Sequence, residues 1–583
     1  MNGTDDILAL FFNNSNLPFD FKDINKKNLD DTIYLTENGF SEPVGIYDCQ
    51  TRTAKLTKSI INKSLVIDID NVTLNGNNYS IGNDSLDVAI LISKESKNIS
   101  IEYLKLNSYN IDVFIEPSCE NIKFNYCIFK GMNLGICAFL SKNLSIEYNK
   151  YLNSTGIMLY GCKDTLIKSN HLSSNEKGIY LFEDNNNCNI IDNLFLDCIE
   201  GISIESKNSF NIISNNKFKN ENNILQQYCI SMLTCNHYNK ITKNLIIFSH
   251  KSISYEVGSI TSKFIGIYIE GDKNTFNTIS KNKIVFKNNK YNFNNTFPNI
   301  LITGISCYEN NSDLEISDNE IEITQNEFTM TKGSSQSVYL FNIYISNHSN
   351  CAIKNNICNI NENSANLSLT DSLFELSNLV LDTNNKSIKI FCNEFEIYKN
   401  SSINNDSIFK AFNLILVDSN SDSDIKDNIF KIKSNNHGFI ASINLWTENY
   451  GNKISYNKFI DIEGVSIILD SENIGNIIIY NTINCNDFAV VLNDGNNSNI
   501  IKANSLSTIA SSNILLVLNN MNNLITENYI ENEFLGIFLV INNNNFNSIS
   551  FNEFCKTSQD ISIPKNSYNY VFDNTKYFIE DNE

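Results

Sequence analysis

The octet Asn-x-Ile-x-x-Asn-x-(Ile/Phe) recurs along this chain and constrains its fold more than any other feature. It stands as NTISKNKI at 277–284, NKISYNKF at 452–459, NIIIYNTI at 476–483, NLITENYI at 523–530 and NSISFNEF at 547–554. With the second Asn as reference, equivalent positions are Asn77, Leu104, Cys127, Asn149, Asn170, Asn193, Asn216, Asn244, Asn282 and Asn319. They continue as Asn356, Asn393, Asn428, Asn457, Asn481, Asn504, Asn528, Asn552 and Asn574. Early and late steps fall mostly between 21 and 24 residues, and the step is 37 three times running between Asn282 and Asn393. A period held that well is architecture rather than composition.

Short β-branched runs such as NIIIY and GIYIE read as strands. A second run, often beginning Gly-Ile, follows many of the reference positions: GICAF at 135, GIMLY at 156, GIYLF at 178 and GISIE at 201. Two or three short strands per circuit, each stacked on its counterpart one circuit later, make a parallel β-helix with Ile, Leu, Val and Phe in columns along its axis. The Asn then has a structural role. It tolerates the left-handed backbone that sharp corners use, and its amide can bond to the circuits above and below. Asn149, Asn170, Asn193, Asn216, Asn282, Asn319, Asn356, Asn393, Asn457, Asn481, Asn504, Asn528 and Asn552 are expected to form that ladder.

The octets, the Gly-Ile strands and the entry segment TAKLTKSIINKSLVIDIDNVTLNGNNYSI (53–81) resemble right-handed parallel β-helix repeat proteins, the NosD-like group of the pectin-lyase-like superfamily. That resemblance implies an all-β fold: a single-stranded right-handed coil with three sheets and roughly 18–20 circuits. Residues 46–578 are expected to form the coils, lengthened around 245–430, with 579–583 as a tail. Residues 1–45 lack the repeat and are expected to form a cap or leader. In TDDILALFF, Thr4 can cap a short helix whose Ile7, Leu8, Phe11 and Phe12 close the core. The lengthened coils carry extra segments that emerge at one corner. Either they build a wall beside a groove, or they pair with one another as added strands.

Composition excludes several function classes. A formal charge of −21 argues against nucleic acid as a partner. MNGTDDILALFFNN has acidic residues where a signal peptide needs basic ones, and no apolar stretch reaches the length of a membrane span. The 15 Cys lack zinc-type spacing and the five His are scattered, so no metal site and no cofactor are expected. Most of the Cys are expected to be small buried hydrophobes.

A polysaccharide-acting enzyme is the first chemistry to test on such a fold. Lyases of the pectate type use an Arg base, and this chain has one Arg, Arg52, ahead of the regular coils. The Asn-Thr-Asp, Gly-His-Gly and Arg-Ile-Lys signatures of polygalacturonase-like hydrolases are absent, as is Asp-Pro-His-Asp. An unfamiliar carboxylate pair is still chemically sufficient, and Glu270, Asp272 and Glu309 are the catalytic candidates, against the plainer reading of solvated surface acids. Glycan-contact candidates are Tyr103, Tyr126 and Tyr148, which share one repeat position, and Trp446. If that position faces outward the tyrosines form a strip; if it lies at the corner they pack there, which is the preferred reading.

The resulting expectation is a non-catalytic structural or adhesive protein of a cell or spore surface that contacts polysaccharide or other surface proteins and can self-associate. An atypical polysaccharide-degrading enzyme and a phage-fibre-like protein are the alternatives.

Overall fold

The structure, a computed structural model, describes residues 32–577 except 83–86, 109, 153–154, 223–225, 251, 256–260, 294–298, 331–335, 368–371, 403–406, 436–437, 510 and 565–566. The helix expected around residues 4–12 therefore lies outside the described residues. Two compact units are present, one ending at Ser203 and one beginning at Ile204. Among the described residues there is no α-helix, and every regular element is a strand.

Both units are built from the same circuit. A representative one runs through Val465–Ser471 in sheet 1, Ile477–Ile479 in sheet 2 and Thr482–Cys485 in sheet 3. Each strand pairs in parallel with its counterpart in the next circuit, as Ile477–Ile479 does with Ile500–Lys502. Alternation follows from the strand period of two. Ile478, Ile501, Ile525 and Ile549 of sheet 2 are wholly buried in one inward column, while their neighbours point out. Large rings fill the interior at sheet 3, where Phe248 and Phe286 stack at 4.4 Å and 6°.

The first unit opens irregularly. Thr32–Thr36 pairs in parallel with Ser64–Ile67, so sheet 1 already includes a strand ahead of residue 46. Gly45–Asp48 folds back antiparallel on Thr53–Leu56 before the circuits become regular.

In the second unit the extra segments pair with one another. Ile253–Tyr255, Lys290–Phe293, Glu327–Met330, Ser364–Leu367 and Ser401–Ser402 form a fourth sheet, parallel throughout. A free loop wall would leave these backbone groups without partners; pairing satisfies them at the same 4.8 Å repeat that the three main sheets impose.

The corners carry the ladder. In the first unit Asn149 N–H bonds to Asn170 Oδ1 and Asn170 N–H to Asn193 Oδ1, each at 2.9 Å. In the second unit the same bond runs from Asn216 through Asn244, Asn282, Asn319, Asn356, Asn393, Asn428, Asn457, Asn481, Asn504, Asn528 and Asn552 to Asn574. One expectation is corrected. From Asn149 onward the left-handed residue is the one before the ladder Asn: Tyr148 has φ 57°, Asn355 55° and Tyr480 56°. The ladder Asn must point its amide inward, along the stack, so the exposed neighbour takes the strained backbone instead.

Twelve of the fifteen cysteines are buried and all are free; Cys49 and Cys392 are exposed. Burial pushes the thiols of Cys127 and Cys162 up to about 12, which keeps them protonated and inert.

Candidate functional site

Outward positions of sheet 1 in the second unit combine rings and carboxylates. Along this sheet Ser231, Tyr268, Ser306, Tyr344 and Val380 occupy one column by strand register. Glu270, Tyr308 and Asp382 each lie two residues beyond a member of that column on the same face, Glu270 and Tyr308 on adjacent circuits and Asp382 two circuits after Tyr308. Small serines between tyrosines leave room for the rings to lean across the columns. Tyr228 and Tyr268 lie 5.0 Å apart at 33°, Tyr268 and Tyr308 5.8 Å at 62°, and Tyr308 and Tyr344 4.9 Å at 38°.

The electrostatics follow from that packing. Tyr344 Oη donates to Asp382 Oδ2 at 2.5 Å, and the Glu270 carboxylate lies next to the Tyr268 hydroxyl. Burial, then the adjacent Glu270 carboxylate, hold the Tyr268 hydroxyl well above the usual phenol range. Burial and the Asp382 carboxylate do the same for Tyr344, and burial raises Tyr308. These hydroxyls remain donors throughout the physiological range. The row thus offers tilted ring faces, phenolic donors and carboxylate acceptors on a rigid sheet.

Of the acids singled out in the sequence, only Glu270 belongs to this row. Asp272 and Glu309 are exposed in the turns that follow sheet 1, on neighbouring circuits, where Asn310 Nδ2 donates to Asp272 Oδ1 at 2.8 Å.

Tyr103, Tyr126 and Tyr148 sit at the corner and face outward as well, 40%, 50% and 48% exposed. They stack at 5.2 Å and 6°, then 5.4 Å and 13°. Rings stacked this way cover much of one another's faces and present chiefly edges to solvent. Phe210, Tyr238 and Phe276 form a second such stack at 5.0 Å, which sequence reasoning missed. Its signal was present: each of the three precedes the first Asn of its octet. Trp446 is half-buried, packed against the patch of Phe412, Ile415 and Ile468 on the outer face of sheet 1, with Lys410 Nζ 5.1 Å from its ring centre.

A separate cleft of about 410 Å³ lies where the fourth sheet's corner ends, lined among others by Gly438, Phe439, Glu463, Gly464 and Asp487. A further ladder, Asn289 to Asn326, Asn363, Asn400 and Asn435, runs to this corner, and Asn435 N–H bonds to Glu463 Oε2 at 2.9 Å where an Asn would otherwise stand. Burial raises the Asp487 carboxyl. Among the described residues no group of three or more His, Cys, Asp or Glu could hold a metal ion.

Residues 88–246 match the family model of the right handed beta helix region. The fold of this chain is a right-handed parallel β-helix. A search of curated proteins gave no match. Several solved structures are similar to this β-helix protein. One is a mutant of the periplasmic alginate epimerase AlgG, 11% identical, with 56% of this chain and 85% of that chain covered and a TM-score of 0.31. Another is a mutant DFA-IIIase from Arthrobacter chlorophenolicus A6 in complex with DFA-III, 9% identical, covering 65% and 90%, TM-score 0.31. A third is a mutant tailspike protein of E. coli bacteriophage HK620 in complex with a pentasaccharide, 10% identical, covering 69% of each chain, TM-score 0.28. None of these likenesses bears on what the β-helix protein binds. Among its described residues no helix is long and apolar enough to cross a membrane.

Proposed function

We propose that this β-helix protein is a non-catalytic surface component that contacts glycans along the outer face of sheet 1 in its second unit. The tilted tyrosine row with its carboxylates carries this reading. A sugar needs an apolar ring face to cover its C–H surface and polar groups to meet its hydroxyls. Tyr268, Tyr308 and Tyr344 supply the first, and their hydroxyls with Glu270 and Asp382 the second. Two carboxylates in the row, on a chain of net charge −21, favour neutral glycans over uronate-rich or sulfated ones. A place on a cell or spore surface agrees with that role.

One observation favours a second reading, an atypical glycoside hydrolase. Glu463 and Asp487 line one cleft, and burial raises Asp487, as a general acid requires.

Affinity electrophoresis against neutral and acidic polysaccharides, with chain length measured before and after, separates the two. The expected result is retardation in a neutral polysaccharide with chain length unchanged. Shortened chains, with cleavage lost in Glu463→Gln and Asp487→Asn, would establish the second reading instead. The absence of both retardation and shortened chains with every polysaccharide would reject both readings and leave a scaffold.

A further inference from the structure

The stacking of circuits makes the outer face of sheet 1 in the second unit a ruler, and the tyrosine row alternates along it. One column reads Tyr268, Ser306, Tyr344 in three successive circuits. The column two residues further along reads Glu270, Tyr308, Ser346 in the same circuits. Each of these circuits therefore carries one tyrosine beside one polar residue, and the two change places at every step. The next circuit continues the second column with Asp382. Ring centroids advance by 5.8 Å and then 4.9 Å. The pattern repeats after two circuits, ~9.6 Å at the strand spacing.

That spacing has a chemical counterpart. In a linear β-1,4-linked hexopyranan both bonds of each linkage are equatorial, so the chain is an extended ribbon whose sugars advance by about one circuit step each. Successive sugars are turned over by half a turn, which puts their hydroxymethyl edges on alternate sides and restores the pattern at every second sugar. An α-1,4- or α-1,6-linked chain coils or bends away from this line and would have to be straightened on binding, at a cost in affinity. The sheet cannot follow a coil, because each circuit is fixed in register to the next.

The carboxylates set the length of the row. Glu270 and Asp382 occupy one column three circuit steps apart, with Tyr308 between them, ~14 Å at the strand spacing. Resting on the glycan-contact reading above, we propose that the row takes a neutral β-1,4-linked hexopyranan as a two-fold ribbon along the stacking direction, one sugar per circuit over four circuits. Glu270 and Asp382 then accept hydroxyl hydrogen bonds from the first and fourth sugars. Tyr308 and Tyr344 are partly exposed while Tyr268 is 9% exposed, so ring contact concentrates on the second and third sugars.

Calorimetric titration of the full chain with cello-, manno- and malto-oligosaccharides of two to six sugars tests this. Affinity for the cello or manno series is expected to rise at least about tenfold from the dimer to the tetramer, roughly 1.4 kcal/mol, and to level off beyond it. Malto-oligosaccharides of equal length should bind at least about tenfold more weakly. In Tyr308→Ala, which breaks the alternation at its middle, the gain with length should disappear. A malto series that binds as well, cello and manno series without the gain in length, or a Tyr308→Ala chain that keeps it would overturn the inference. No binding of any series by a protein that a neutral polysaccharide still retards would overturn it too, and the glycan reading would then stand without it. No binding of any series and no retardation in any polysaccharide would reject the glycan reading together with the inference.

Discussion

Asn356→Ala is expected to cost about 3–5 kcal/mol of stability, whereas Asn355→Ala next to it costs about 1 kcal/mol or less. Asn356 is wholly buried. Its Nδ2 donates to Ile316 O at 3.0 Å and to Asn393 Oδ1 at 2.9 Å, and its Oδ1 accepts from the N–H and Nδ2 of Asn319, both at 3.0 Å. Alanine leaves the Asn319 N–H and the Ile316 carbonyl buried without partners, each worth about 1–3 kcal/mol. Asn355 by contrast holds φ at 55° and reaches only Asp318, at an exposed position. Ala loses little there beyond Asn's tolerance of that backbone. Chemical denaturation of the two variants side by side measures the difference, and equal losses would mean that the ladder amide contributes nothing special.

The second large effect is a dependence on pH. His348 occupies a place in another Asn ladder: its N–H bonds to Asn385 Oδ1 at 3.0 Å and Nδ1 lies 2.7 Å from Ser346 O. Its Nε2 is buried with no hydrogen-bond partner. Burial, only partly offset by the Ser346 carbonyl, lowers its pKa to about 4. Above the unfolded value near 6.5 both states are neutral, so the ring costs nothing there through protonation. As pH falls from about 6.5 to about 4 the unfolded chain takes up a proton that the folded one refuses, and stability drops by about 3 kcal/mol. His348→Asn restores the ladder residue and removes the titration. Its denaturation midpoint should vary less between pH 7 and pH 4 than that of the unaltered chain. An identical slope in both proteins would show that other groups govern acid sensitivity.

Much of the fold was legible because its cause repeats. The octet places an Asn wherever the chain turns between sheets 2 and 3, and a 4.8 Å stack demands the same solution every circuit. What the octet did not reveal is which residue bears the strain. Tyr148, Asn355 and Tyr480 share only a position before the Asn, not a residue type, since any exposed side chain can sit there.

The tyrosine row was hidden for a geometric reason. Tyr268 and Tyr344 are two circuits apart in one column while Tyr308 belongs to the neighbouring column, so their sequence separations are 40 and 36 where the circuit step is 38. Periodicity found Tyr103, Tyr126 and Tyr148 because they stack in register, and register is also what covers their faces. Glu270 was visible from its place after a Gly-Ile strand, but Asp382, which accepts from Tyr344, carries no comparable signal.

The most direct test of the glycan reading compares two triple variants in affinity electrophoresis against the neutral polysaccharide that retards the unaltered protein. Tyr268→Ala with Tyr308→Ala and Tyr344→Ala should weaken retention at least about tenfold, which corresponds to roughly 1.4 kcal/mol. Tyr103→Ala with Tyr126→Ala and Tyr148→Ala should leave it within about twofold. Retention lost in the corner variant and kept in the row variant would contradict the assignment of glycan contact to sheet 1.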